Sequence, residues 1–147
     1  NGMQAWTVTA PAQSGAIPTN PPIPMVSGAT YEVTVLEGTY TFDSAHLTTV
    51  GTPVRDPEKL GSFYRDMVSR EDPVGLLYVM PGLKTRECPV VNNRSFFTVA
   101  TYTAAKLAPG AFDQKDHVLY LKLNVPQSAD YNKRMTGTLK LKIRRVS

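Results

Sequence analysis

The sequence predicts an all-β protein, an antiparallel β-sandwich of jelly-roll type with seven or eight strands and one short helix near 57–70. Three observations point there. Several short stretches alternate apolar and polar residues, the period of a strand with one buried face. Proline and glycine, 12 and 10 residues respectively, cluster between those stretches, as turn formers do in proteins of many short strands. Strands and helices do not alternate as a parallel sheet requires, and no segment repeats.

In order along the chain, residues 3–10 alternate around Trp6 and Val8 and read as a strand. Residues 11–28 hold Pro11, Pro18, Pro21, Pro22 and Pro24. Proline has no N–H for a ladder, so this segment is an extended arm or a surface loop, not a central strand. In 29–42, Tyr31, Val33 and Val35 point one way and Glu32 and Thr34 the other, with a bend or bulge at Gly38. Residues 46–50 suit a short strand. Asp56 as N-cap, Pro57 at the first turn and the stripe Leu60, Tyr64, Met67 and Val68 predict the helix. Asp72-Pro73 ends it.

The continuous apolar run at 74–80 predicts a strand covered on both faces, stopped by Pro81-Gly82. Residues 95–104 set Phe97, Val99 and Thr101 opposite Phe96, Thr98, Ala100 and Tyr102. In 117–125, Leu119, Leu121, Leu123 and Val125 share a face. In 136–146, Leu139, Leu141 and Ile143 face inward while Lys140, Lys142 and Arg144 face outward.

At 147 residues, 1–147 reads as a single domain. A chain of this length buries roughly 70% of its unfolded surface and needs no metal or disulfide to hold a core. A hydrophobic content of 41% with 19% charged residues excludes a disordered chain. One cysteine, Cys88, rules out an intramolecular disulfide. No stretch approaches the roughly 18 apolar residues of a membrane helix, so no membrane partner is expected. The start, Asn1-Gly2-Met3-Gln4, lacks the basic and apolar regions of a secretory signal, and its Asn-Gly reads as a turn, which predicts residues upstream.

Catalytic patterns do not emerge, and the chain is not expected to be an enzyme. His46 and His117 are the only histidines, and neither has the ligand cluster a metal site requires. Cys88, in Arg86-Glu87-Cys88-Pro89, needs a histidine base to act as a nucleophile and reads as a loop cysteine. No G-x-S-x-G and no glycine-rich phosphate loop occur. Asp113 and Asp116, or Asp43 with a partner, offer carboxylates for calcium between subunits, but the EF-hand pattern is absent. No cofactor is expected. Asn93-Arg94-Ser95 is a formal glycosylation triplet, meaningful only in a secreted protein.

The net charge is +4, and the basic residues gather late: Lys133, Arg134, Lys140, Lys142, Arg144 and Arg145, with no acidic residue after Asp130. Outward lysines suit a solvated edge strand. They also form a stripe of cations about 6.6 Å apart, able to follow phosphates without reading sequence.

A single β domain of this size, the Pro-rich 11–24, a short helix between strands and the closing strand Thr138-Leu139-Lys140-Leu141-Lys142-Ile143 together resemble the coat proteins of very small satellite-type icosahedral RNA viruses. The resemblance covers the whole chain by architecture. It implies a jelly roll that self-assembles into a closed shell around RNA, formed in the host cytoplasm and located in the virion. Its partners would be copies of itself and RNA. Lys133, Arg134, Lys140, Lys142, Arg144 and Arg145 would face RNA or an interface, and Pro11, Pro18, Pro21, Pro22 and Pro24 would form an inter-subunit arm. The basic leader of such coats is not among these residues, so most RNA contact would fall to an upstream segment.

A second class, an immunoglobulin-like fimbrial or adhesin subunit, fits strand count and length, with 3–10 as a donor strand. A third, a β-sandwich enzyme or sugar-binding domain, needs a carboxylate pair or an aromatic platform. Trp6, the only tryptophan, is expected to be packed.

Overall fold

The computed structural model describes residues 4–43, 46–49, 68–69, 72, 75–83, 85–91, 93–99, 118–125, 127, 133 and 135–147. Among them are nine strands: β1 (Ala5–Pro11), β2 (Ile17–Pro18), β3 (Thr30–Asp43), β4 (His46–Thr49), β5 (Leu77–Met80), β6 (Cys88–Pro89), β7 (Arg94–Thr98), β8 (Tyr120–Leu123) and β9 (Thr136–Arg145). They form two antiparallel sheets. One runs β1-β9-β3-β4, with β7 also paired to β3; the other runs β2-β8-β5-β6. The pair β1·β9 in one sheet continues as β2·β8 in the other, so successive strands wrap together as in a jelly roll. The expected helix falls on residues outside the described set, except that Val68 and Ser69 are described and are not helical.

The alternation read from the sequence sets the inner face. Val8, Val33, Leu141 and Ile143 from the first sheet meet Leu77, Val79, Leu119 and Leu121 from the second in one buried core. Tyr31 stacks on Phe97 with ring centroids 5.6 Å apart, and Trp6 lies partly buried against the core, 6.5 Å from Tyr31. Tyr78 and Met80 are buried as well as Leu77 and Val79, so β5 is covered on both faces.

Residues 11–28, with β2 among them, are docked on the body of the domain. Thr19, Ile23 and Met25 are buried. The Thr19 N–H donates to the Leu119 carbonyl, and the Leu119 N–H to that of Ile23, each at about 3 Å. The Tyr31 hydroxyl donates to the Pro24 carbonyl at 3.1 Å and accepts from the Val26 N–H at 3.2 Å. The prolines themselves stay exposed: Pro11 ends β1, Pro18 lies in β2 at a sheet edge, and Pro24 bridges Val118. An edge is where a residue without an N–H is tolerated.

β9 departs from expectation. Its outward lysines do not mark an edge, because β9 lies between β1 and β3 and pairs with both along nearly its whole length. A β-bulge between Val35 and Glu37 lets β3 follow it.

Candidate functional site

The outer face of the five-stranded sheet carries a charged and aromatic grid. Strand register places Ala5, Arg144, Glu32 and Phe96 in one row and Thr7, Lys142, Thr34 and Arg94 in the next, across β1, β9, β3 and β7. Side chains alternate along each strand, and the neighbours Val8, Leu141, Val33 and Phe97 occupy the core, so both rows face outward.

Glu32 holds this grid together. Its Oε1 accepts from Arg144 Nη2 at 3.0 Å and its Oε2 lies 3.3 Å from Arg94 Nε. The Glu32 side chain is only 10% exposed, while both arginines are about half exposed. A carboxylate can be covered this far because each oxygen has a charged donor. The Arg94 guanidinium also lies over the Phe96 ring, 5.7 Å from its centroid. Phe96 is 56% exposed and Val91, along a groove that both line, is 55% exposed.

Beside Phe96 an open groove of 830 Å³ runs between β6 and β7, bounded by Arg86, Glu87, Cys88, Val91, Arg94 and Phe96. The Cys88 thiol is half-buried, and burial pushes its pKa up, against the opposing effect of Arg86 and with a smaller contribution from Glu87. A thiol held protonated in this way is a poor nucleophile. Glu87 pairs with Lys122 at 3.5 Å.

The structure gathers some of the residues singled out from sequence and separates others. Lys140, Lys142 and Arg144 share the outer face of β9. Lys140 approaches Glu37 at 3.8 Å. Arg145 has the opposite parity, at the sheet's end, and its Nε donates to the Ser147 carbonyl oxygen at 3.1 Å. Lys133 is exposed in a turn that precedes β9, and Arg134 lies outside the described residues. His46 is in β4; His117, Asp113 and Asp116 lie outside the described residues. Among the described residues no group of three His, Cys, Asp or Glu side chains is placed to hold a metal ion.

Arg94 and Phe96 went unrecognised in the sequence as site residues. The alternation Arg94-Ser95-Phe96-Phe97 says that one phenylalanine must face outward, and the polar parity shared with Arg94 identifies which.

A separate polar knot lies at the end of β8. Asn124 is fully buried; its side chain accepts from the Ser69 N–H at 2.9 Å and donates to the Asp72 carbonyl at 3.1 Å. The Tyr78 hydroxyl donates to the Asp72 carboxylate at 2.7 Å. Burial, then that hydrogen bond, raises the Tyr78 pKa well above the ordinary tyrosine value. These contacts fasten Ser69 and Asp72 to the second sheet.

No protein family and no curated protein matches this chain. Among solved structures it is similar to the EclA N-terminal domain, described as a PllA-like lectin, at 16% identity and a TM-score of 0.53 over 97% of this chain and 95% of that one. It also aligns with AJLec from the sea anemone Anthopleura japonica at 12% identity and a TM-score of 0.48, over 95% and 92% of the two chains. The first likeness establishes a shared β-sandwich fold.

Proposed function

We propose that this chain is a non-catalytic carbohydrate-binding module, a lectin-type β-sandwich that holds sugar on the outer face of its five-stranded sheet. The observation that carries the reading is Phe96, a half-exposed ring flanked by Arg94 and set beside an open groove. A sugar ring presents a face of C–H groups, which packs on an aromatic ring, and a rim of hydroxyls, which take hydrogen bonds from planar charged side chains. The near full-length likeness to a lectin domain supports the reading.

A glycan array probed with the labelled chain, followed by calorimetric titration of the best binders, tests it. Saturable binding that falls about tenfold or more in Phe96→Ala is expected, the size of one lost stacking contact. The variant should remain folded, because Phe96 is not part of the core. Absence of saturable binding to any glycan class would reject the proposal.

A second reading, the self-assembling coat of a small RNA virus, is favoured by one observation: Lys140, Lys142 and Arg144 stand in line on one face, with Arg94 two strands away on the same face. Its partners would be RNA and copies of the chain, the latter meeting the exposed prolines of 11–28. Electron microscopy and native mass measurement test it, a closed shell of about sixty copies supporting it and a monomer at high concentration rejecting it.

A further inference from the structure

We infer that the saccharide taken by the Phe96 face is an acidic one, bearing carboxylate or sulfate groups; this rests on the carbohydrate-binding reading and narrows its substrate class. The inference comes from the balance of donors and acceptors on the face. Arg94, Lys140, Lys142 and Arg144 supply cations, and the opposing carboxylates are Glu32 and Glu37, while Glu87 across the groove is paired with Lys122. Glu32 is already engaged at both oxygens by guanidinium groups and is nearly covered, so it has little capacity left to accept sugar hydroxyls. The arginines remain half exposed. Each guanidinium has five N–H donors and no acceptor, and Glu32 contacts Arg94 through Nε and Arg144 through Nη2, so further donors remain on each half-exposed side chain.

Lys142 completes the arrangement. It is exposed, it stands between Thr7 and Thr34, and among the described residues it forms no ion pair. The face therefore carries more cations than free carboxylates; Thr7 and Thr34 add hydroxyls, which both donate and accept. A neutral sugar, whose hydroxyls both donate and accept, leaves part of the cations' donor capacity unused. A carboxylate or sulfate, which only accepts, matches it and forms the shorter, stronger charge-assisted bonds. Spacing suits a chain of sugars rather than a single anion. Lys142 and Arg144 are about 6.6 Å apart along β9, and Lys142 and Arg94 are two strand spacings apart, about 9.6 Å. Phe96 stands in the row beside Arg94, so a ring resting on it brings its substituents toward both arginines.

The test uses the full chain and five probes: an oligogalacturonate, a sulfated dextran oligosaccharide, their neutral counterparts (the methyl ester of the first and the unsulfated form of the second), and a single-stranded RNA of matched charge. Binding is measured by calorimetry at low and physiological salt with the unaltered chain, Lys142→Gln and Phe96→Ala. Lys142→Gln removes a charge that no described residue pairs with, so the fold should be unaffected, as a thermal melt will verify. The expected result is that at least one acidic oligosaccharide binds, that affinity falls as salt rises, and that each substitution weakens it about tenfold. If neutral and acidic probes bind alike and Lys142→Gln has no effect, the inference is overturned while the carbohydrate reading stands. If no saccharide binds, both fail. RNA binding that depends on Lys142 but not on Phe96 overturns the inference in favour of a polynucleotide.

Discussion

Gly38 of β3 lies against the carbonyl oxygen of Thr138 on β9, so closely that a Cβ at this position would collide with it. Its φ of +121° is one that residues with side chains rarely adopt. The position follows the bulge between Val35 and Glu37, where β3 regains register with its neighbour. Gly38→Ala is expected to lower stability by about 2 kcal/mol or more, combining backbone strain with displacement of β9. Urea unfolding monitored by Trp6 fluorescence measures it, and an unchanged midpoint would mean that the two strands do not approach so closely.

Asn124 predicts a comparable loss by different means. Its buried amide satisfies the Ser69 N–H and the Asp72 carbonyl. Asn124→Leu fills similar space but leaves both groups without that partner, which costs about 1–3 kcal/mol for each one that stays dry. The loss should appear in the unfolding midpoint, and faster hydrogen exchange at the Ser69 amide would localise it.

Tyr78 gives a pH dependence whose sign is fixed. Its folded pKa lies above the ordinary value of 10.0 because burial and the Asp72 carboxylate disfavour the phenolate. Above that pH the unfolded chain releases this proton and the folded chain keeps it, so the contribution to stability falls as pH rises through the ordinary value. Below it the contribution is constant. Unfolding curves from pH 8 to 11 should decline less steeply for Tyr78→Phe than for the unaltered chain; parallel declines would place the alkaline sensitivity elsewhere.

Glu32→Gln probes the outer face. Losing the charge leaves Arg94 and Arg144 beside each other without a counterion. Because both arginines are half exposed, the expected loss is modest, about 1 kcal/mol, and smaller for each pair taken alone. The two guanidinium groups are then released for ligand, so an acidic saccharide should bind the variant more tightly than the unaltered chain. Paired calorimetric and unfolding measurements would register both changes, and weaker binding would show that Glu32 positions the arginines rather than competing for them.

Strand faces were legible in the sequence, and strand neighbours were not. Leu139, Leu141 and Ile143 declare an inner face through their spacing alone, because side-chain direction is a local property of an extended backbone. Whether β9 lies at an edge is decided by segments far away in the chain, as in the pairing of Ala5 with Arg144. Lysines that suit an edge suit equally the solvated face of a central strand. The loop character of 11–28 followed from its prolines, but its docking depends on Ile23 and Met25, whose partners lie elsewhere. The site was hidden for the same reason. Arg94 and Phe96 are unremarkable until register brings Glu32 and Arg144 alongside them.

The central place of β9 has a consequence for synthesis. β1 and β3 leave the ribosome early, yet each waits for the same late-made partner to fill the gap between them. Until it emerges, both offer unpaired edges to any nearby extended chain. Truncation just before Thr136 would leave that gap permanently open, yielding a product prone to clumping instead of a smaller working domain.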